Sequence, residues 1–312
     1  MLGDFFSAVG DVLSNESTYS GGFRLAVVLA LVAAGEWIAE RAGTLNISVE
    51  AMLLGGAFNS ALGYHLTESV AIGILFGAIA GLGIAIVQAN MSHRLSADQF
   101  VVGLTLNILI LGVASFLNSS IRPSTTRAHI FEVPWLVDIP LVGPALFAQR
   151  WPFYLVYLVV PACALILYRT RWGLEVRAVG ENPQAADVSG VPVLARRRQA
   201  IYVAGITSGL GGAYLLLGQV GRFESTIAGG QGFIAIAAVI FGGWTLRGAM
   251  LGCLLFGLVN SFRLTLPGLG YQVNSELLSS LPFLVTILAV AVIASRARQP
   301  AALTQPFVRG LN

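Results

Sequence analysis

The chain has 312 residues and a mean hydropathy of +0.78. Only 11% of its residues are charged, against roughly a quarter in an ordinary soluble domain. The formal net charge is +3 and all 18 basic residues are Arg, which excludes a Walker A lysine and a Schiff-base lysine, so the chain cannot use ATP through a P-loop of its own.

Residues 1–21 have no basic leader and no long apolar run, so they read as an external N-terminal segment and not as a signal peptide. A transmembrane domain is expected over 22–298. Nine apolar segments lie near 22–40, 47–64, 70–90, 99–118, 153–169, 200–217, 231–245, 248–266 and 279–296. Most approach the roughly 20 helical residues that cross a bilayer, so the fold class is an all-α polytopic membrane protein with about nine transmembrane helices. Gly73, Gly77 and Gly81 recur every four residues, as do Gly205 and Gly209, and Gly248 and Gly252. That spacing lets helices approach closely in lipid. Cys163 and Cys253 each sit inside an apolar run and read as small core residues; His65, His93 and His129 are scattered without ligand spacing, so no metal site and no cofactor are expected.

Charges in the first two segments are costly at membrane depth and mark a pathway or an internal pair. Glu36, Glu40, Arg41 and Glu50 are such residues, and Asn46 falls where the helix should break. Glu40 and Arg41 read as a charge-paired brace; Asn46 and Glu50 suit a brace or a solute pathway equally. Asn59, Gln99, Asn107, Asn260 and Ser261 are further intramembrane polar residues. Interhelical hydrogen bonding explains each of them, and some must line a pathway if a polar solute crosses. Phe233 suits stacking on a base or burial in the core.

The outer loop 119–152 carries Trp135 and ends at Trp151, with Tyr154 and Tyr157 just beyond, residues suited to a membrane interface or to docking an outside partner. The loop 170–198 holds "GENPQAADVSG" at 180–190 and "RRR" at 196–198. Asn182 is a natural helix cap, Pro183 suits the first helical position, and Gly190 suits a left-handed stop. Between them a helix of under two turns is expected, with Ala185 and Ala186 forming a smooth face and Glu181 and Asp187 available to a polar or basic partner. Placing this Arg-rich loop inside puts the N-terminus outside, the C-terminal tail 299–312 inside, and 12 Arg inside against 6 outside. The Arg residues sit at membrane edges and form no long basic face, so no nucleic-acid partner is expected.

"NISVEAMLLGGAF" (46–58) is similar to "FIAIAAVIFGGWT" (233–245), with Gly55-Gly56 matching Gly242-Gly243. The two run in opposite directions in this topology, so segments 1–4 and 6–9 read as inverted-topology halves linked by segment 5, a transporter pattern.

Three stretches carry a family resemblance. "AERAGTLNISVEAMLLGGAF" is similar to the ER-G-x-x-N-I-x-x-E-G stretch of nucleoside and simple-sugar permeases, with Ala51 in place of Gly. "GENPQAADVSGV" resembles the family's cytoplasmic loop, and 208–257 is similar almost continuously. The chain thus resembles inner-membrane permease subunits of ABC importers, in the branch serving branched-chain amino acids, ribose-type sugars and nucleosides. The resemblance implies a bundle like that of the larger importers, such as the cobalamin importer, lacking their first helix. It implies a coupling helix at Glu181, Asn182, Pro183, Ala185, Ala186, Asp187 and Gly190, seated on a separate, tandem-domain ATP-binding subunit that holds the ATP and Mg. It further implies a second homologous permease chain, an external solute-binding lipoprotein, and a bacterial cytoplasmic membrane location. A nucleoside or related ribosyl or simple-sugar solute would move inward along a pathway including Asn46, Glu50, Asn59, Asn107, Phe233 and Asn260. The alternative is a stand-alone secondary transporter that uses Glu36, Glu40, Arg41 and Glu50 as an ion-coupling site.

Overall fold

The computed structural model describes residues 14–139, 143–268 and 299–307, with residues 10, 12, 280 and 284 besides. Eleven helices and one short hairpin are formed among them. The ninth apolar segment, 279–296, lies almost wholly outside the described residues.

The first helix, α1 (Glu16–Arg41), starts where the Asn15 side chain accepts from the Ser17 N–H. It is the axis of the bundle, and its residues from Ala26 to Glu40 are all buried. A break at 42–48 leads to α2 (Val49–Thr67), which is also largely buried. Next come α3 (Val70–His93) and α4 (Gln99–Ile121), the latter capped by Asp98 on the Phe100 and Val101 N–H groups. Both turn apolar side chains outward, among them Leu75, Ile79, Ile108 and Phe116. A bilayer or a partner helix suits such faces; water does not.

The loop that follows is stiffened by an antiparallel hairpin of β1 (Ile130–Glu132) and β2 (Ala148–Arg150), with Phe131 opposite Gln149. Between the strands, α5 (Gly143–Phe147) packs on α1. A single 3₁₀ turn at Trp151–Tyr154 then enters α6 (Leu155–Arg169). Two short helices follow, α7 (Arg171–Glu181) and α8 (Pro183–Val188). The second long buried helix, α9 (Val193–Ala213), continues as a π-helical turn at Tyr214–Val220 and stops at Gly221, φ +78°. The chain ends with α10 (Gln231–Phe241), α11 (Leu246–Gly268) and the tail 299–307.

Around α1 stand α6, α9, α10 and α11, while α9 also packs on α2 and α3. The α3–α9 contact uses the glycines that the spacing singled out. A Cβ on Gly81 would strike the Gly205 carbonyl, and one on Gly209 would strike the Gly77 carbonyl. Backbone therefore meets backbone across this interface, which only glycine permits.

Among the described residues, six helical stretches are long and apolar enough to cross a membrane: Glu16–Arg41, Val70–His93, Gln99–Ile121, Trp151–Arg169, Val193–Val220 and Leu246–Pro267. The expected seventh segment differs from a full span, because α10 has only 11 residues, about 16 Å at 1.5 Å per residue. Its start lies beside Glu50, near the beginning of α2. Beyond its end, Trp244 lies level with Trp37 and Glu40 near the end of α1. The half-helix thus covers one half of the bundle's depth, and the non-helical stretch 221–230 covers the other. Phe223 and Ala228 of that stretch are buried in protein, the condition under which irregular backbone is tolerated at membrane depth.

The two similar sequence stretches do not have matching glycine roles. Gly56 lies mid-helix, where a Cβ would meet Gly209 at 2.6 Å, whereas Gly242 and Gly243 follow the end of α10, with Gly243 at φ +61°.

Candidate functional site

The short helix α8 stands at one end of the bundle, together with the ends of α1, α3 and α6. Its start follows the sequence signal: the Asn182 carbonyl oxygen of the side chain accepts from the Ala185 N–H at 2.9 Å, and Pro183 occupies the first helical position. Its stop is also local, since Gly190 takes φ +85° and donates to the Asp187 carbonyl. Ahead of it, Glu181 lies 3.8 Å from Arg41 at the end of α1.

The orientation of the helix corrects one expectation. Ala185 and Ala186 do not share an outward face. Ala186 is 5% exposed and packs on Val179 of α7 and Val193 of α9, with Val191 and Phe307 at the margin. Pro183 is buried too. The outward face is Gln184, Ala185, Val188 and Ser189, and Val188 is 90% exposed. Successive residues on a helix turn by about 100°, so only one of two adjacent alanines can face out. An apolar side chain so exposed on a braced helix is a knob without a hole in this chain.

The polar residues proposed for a pathway fall into separate places. Asn46, Glu50 and Asn107 gather around the break between α1 and α2. Asn46 donates through Nδ2 to Glu36 at 3.0 Å and through its N–H at 3.2 Å, while accepting from Ser48. Asn107 of α4 accepts from the Ala51 N–H at 2.8 Å and donates to the Ile47 carbonyl at 2.9 Å. Glu50 accepts from the Gly230 and Gly232 N–H groups at 2.8 and 2.7 Å. It thereby caps the half-helix α10, where a carboxylate meets both free N–H groups and the positive helix end. Glu50 and Asn107 thus fasten backbone groups, while Asn46 ties the side chains of Glu36 and Ser48.

Asn59 stands apart: it donates to its own helix at the Gly55 carbonyl and lines a cavity of about 320 Å³ between α2, α3 and α4. Phe233 is 42% exposed on α10, one residue beyond Gly232. Asn260 is half-buried on α11 beside Ser261, which donates to the Thr18 carbonyl. Of the brace residues, Arg41 pairs with Glu181 and not with Glu40, whose Oε2 accepts from Trp244.

The other end of the bundle holds a feature that the residue order concealed. Arg24 of α1, Arg127 of the loop and Arg150 of β2 line one cavity of about 580 Å³, with Ser17, Gln219 and Thr265. Each is held by a different element: Arg24 by the Gln149 side chain at 2.8 Å, Arg127 by the Val220 carbonyl at 3.0 Å, and Arg150 by the Ala128 carbonyl. Burial, with Arg127 and Arg24 nearby, pulls the Arg150 guanidinium below its ordinary pKa. The three residues are far apart in sequence, so no local motif announces them. On the same end Trp135 is 89% exposed, at φ +74°.

The family model described as "Branched-chain amino acid transport system / permease component" matches residues 18–290. The chain belongs to that permease family. Among its relatives is the nucleoside ABC transporter permease protein NupC of Lactococcus lactis, 34% identical over 88% of this chain and 91% of that one. The guanosine ABC transporter permease protein NupQ of Bacillus subtilis is 32% identical over 91% of this chain and 94% of its own. The fructose import permease protein FrcC of Rhizobium meliloti is 28% identical over 85% of this chain and 74% of its own. In fold, the permease chain is similar to a solved structure titled "PsaBC from Streptococcus pneumoniae in complex with Fab", with a TM-score of 0.50, 13% identity, and 93% and 95% of the two chains covered. This family membership and the six apolar helices make the permease a multi-pass membrane protein.

Proposed function

We propose that this permease is the membrane subunit of an ATP-driven importer that moves a nucleoside, or a related ribosyl or simple sugar, into the cell. The observation that carries the mechanism is α8: a capped helix, braced from within, that presents Val188 outward. ATP hydrolysis belongs to a separate subunit with tandem nucleotide domains, which holds the ATP and Mg, and α8 docks there as the coupling helix. Gln184, Ala185 and Val188 make that contact, while Asn182, Pro183 and Ala186 shape and seat the helix. A partner with two states moves the permease only through contacts that differ between those states, and a rigid knob transmits such a difference. The coupling end is cytoplasmic and the arginine-lined cavity opens outside, where a solute-binding lipoprotein delivers its cargo. A second permease chain completes the pore against the apolar outer faces. On this reading the bundle is of the larger-importer, cobalamin-importer type, with about nine crossings.

The solute reading rests on the relatives that carry nucleosides and sugars in their names. The alternative of an ion-coupled stand-alone carrier gains nothing from Glu36 and Glu50, which are each committed to hydrogen bonds within the fold. The test is tritiated guanosine and fructose uptake into vesicles holding the permease with its ATPase and receptor. ATP-dependent entry of guanosine supports the reading; entry driven by an ion gradient without the ATPase overturns it.

A further inference from the structure

The tail 299–307 returns to the α8 end of the bundle and closes on the underside of the coupling helix. Three contacts fix it there. The Ala302 N–H donates to the Gly180 carbonyl at 2.9 Å, immediately ahead of α8. Arg197 of α9, fully buried at 0% exposure, donates to the Gln305 carbonyl at 2.7 Å and to the Ala302 carbonyl at 3.4 Å. Phe307 packs against the Val179, Ala186 and Val193 cluster on which α8 rests. Among the described residues this guanidinium donates to main-chain carbonyls of the tail, so the tail and the buried cation require each other. A buried charge that loses its partners is strongly destabilising.

We infer that residues 299–307 are a strap that sets the position of the coupling helix, with Arg197 as its positioning residue and Phe307 as its wedge. The chemistry supports this over mere tail packing. A six-residue helix does not hold itself in water. The support of α8 comes from α7, from α9 and from the strap, and the strap touches both Gly180 before the helix and the cluster under Ala186. The triple arginine run thus divides its work: Arg196 lies against Glu175, Arg198 donates to Asn90, and Arg197 holds the strap.

This inference rests on the coupling-helix reading, and the test separates the two. Hydrogen–deuterium exchange is measured on the full-length permease and on variants, each assembled with its ATPase in nanodiscs. Phe307→Ala, and truncation after Arg298, should speed exchange at the amides of 184–191 by about tenfold, since local opening sets that rate. In Phe307→Ala, which keeps the Arg197 acceptors, exchange in 200–213 should stay unchanged, and Phe307→Leu should restore slow exchange, which bulk misfolding would not allow. Wild-type exchange at 184–191 in both the Phe307→Ala and the truncated chain overturns the strap. Val188→Asp serves as the separate arm: if the ATPase still copurifies with it as with wild type, the coupling-helix reading fails, whatever the strap does to exchange.

Discussion

Glu50 offers the sharpest test of how the fold is held. Its two carboxylate oxygens take the Gly230 and Gly232 N–H groups, and a Cβ on Gly232 would lie 2.7 Å from Oε2, so there is no room to shift. In Glu50→Gln one oxygen remains and an NH₂ faces the other N–H donor. One charge-assisted bond is lost, about 1.5–3 kcal/mol, together with most of the favourable term at the helix end, about 0.3–2 kcal/mol. The sum is about 2–5 kcal/mol, which at roughly 2–4 °C per kcal/mol lowers the midpoint of thermal unfolding by roughly 4–20 °C. The assay is circular dichroism of the purified permease in detergent, with the loss of monodispersity followed in parallel. Glu50→Asp, one methylene shorter, should fall between the two because it cannot reach both donors. An unchanged midpoint for Glu50→Gln would refute the claim that this carboxylate anchors α10.

Other expectations follow from the same structure. Gly209→Leu should abolish recovery of folded protein, because overpacking costs about 1–3 kcal/mol even where neighbours can yield, and here the neighbour is the Gly77 backbone; fluorescence-detected size-exclusion chromatography reads this directly. Asn182→Ala removes the α8 cap and should weaken the short helix by about 1 kcal/mol, visible as faster amide exchange at Ala185 with the bundle unaltered. Charge reversal at Arg24, Arg127 or Arg150 should cut receptor-delivered entry and make it less sensitive to salt, because clustered cations at this end attract the docking receptor through screened forces while the uncharged solute feels none; uptake at two ionic strengths measures both effects.

How much of this was legible in the sequence depends on whether the cause was local. The start and stop of α8 were, because an Asn cap, a Pro and a left-handed Gly act within a few residues. That the glycine-spaced faces of α3 and α9 pack closely was too, because a four-residue glycine spacing has one obvious use in lipid, but not that they meet each other. The inward turn of Ala186 was not, since two adjacent alanines look alike until α7 and α9 decide which side is inside. The shortness of α10 was partly legible, since the segment 231–245 is short and ends in "FGGW", but only Glu50, some 180 residues away, reveals where the helix begins. The convergence of Arg24, Arg127 and Arg150 and the return of the tail to Arg197 depend wholly on long-range packing. The role of each proposed coupling and pathway residue stays a matter for the experiments above.

The burial of α1 sets a problem of timing. This helix is made before the helices that pack around it, yet Glu40 accepts from Trp244, 204 residues downstream. At about 5–20 residues per second, the ribosome takes roughly 10–40 s to supply that indole. Glu36 finds Asn46 ten residues later and is served almost at once. During the interval Glu40 and the small residues around it face lipid or whatever escorts the nascent chain. The early helix is therefore the one most dependent on assistance during insertion, and the last helices made are the ones that release it.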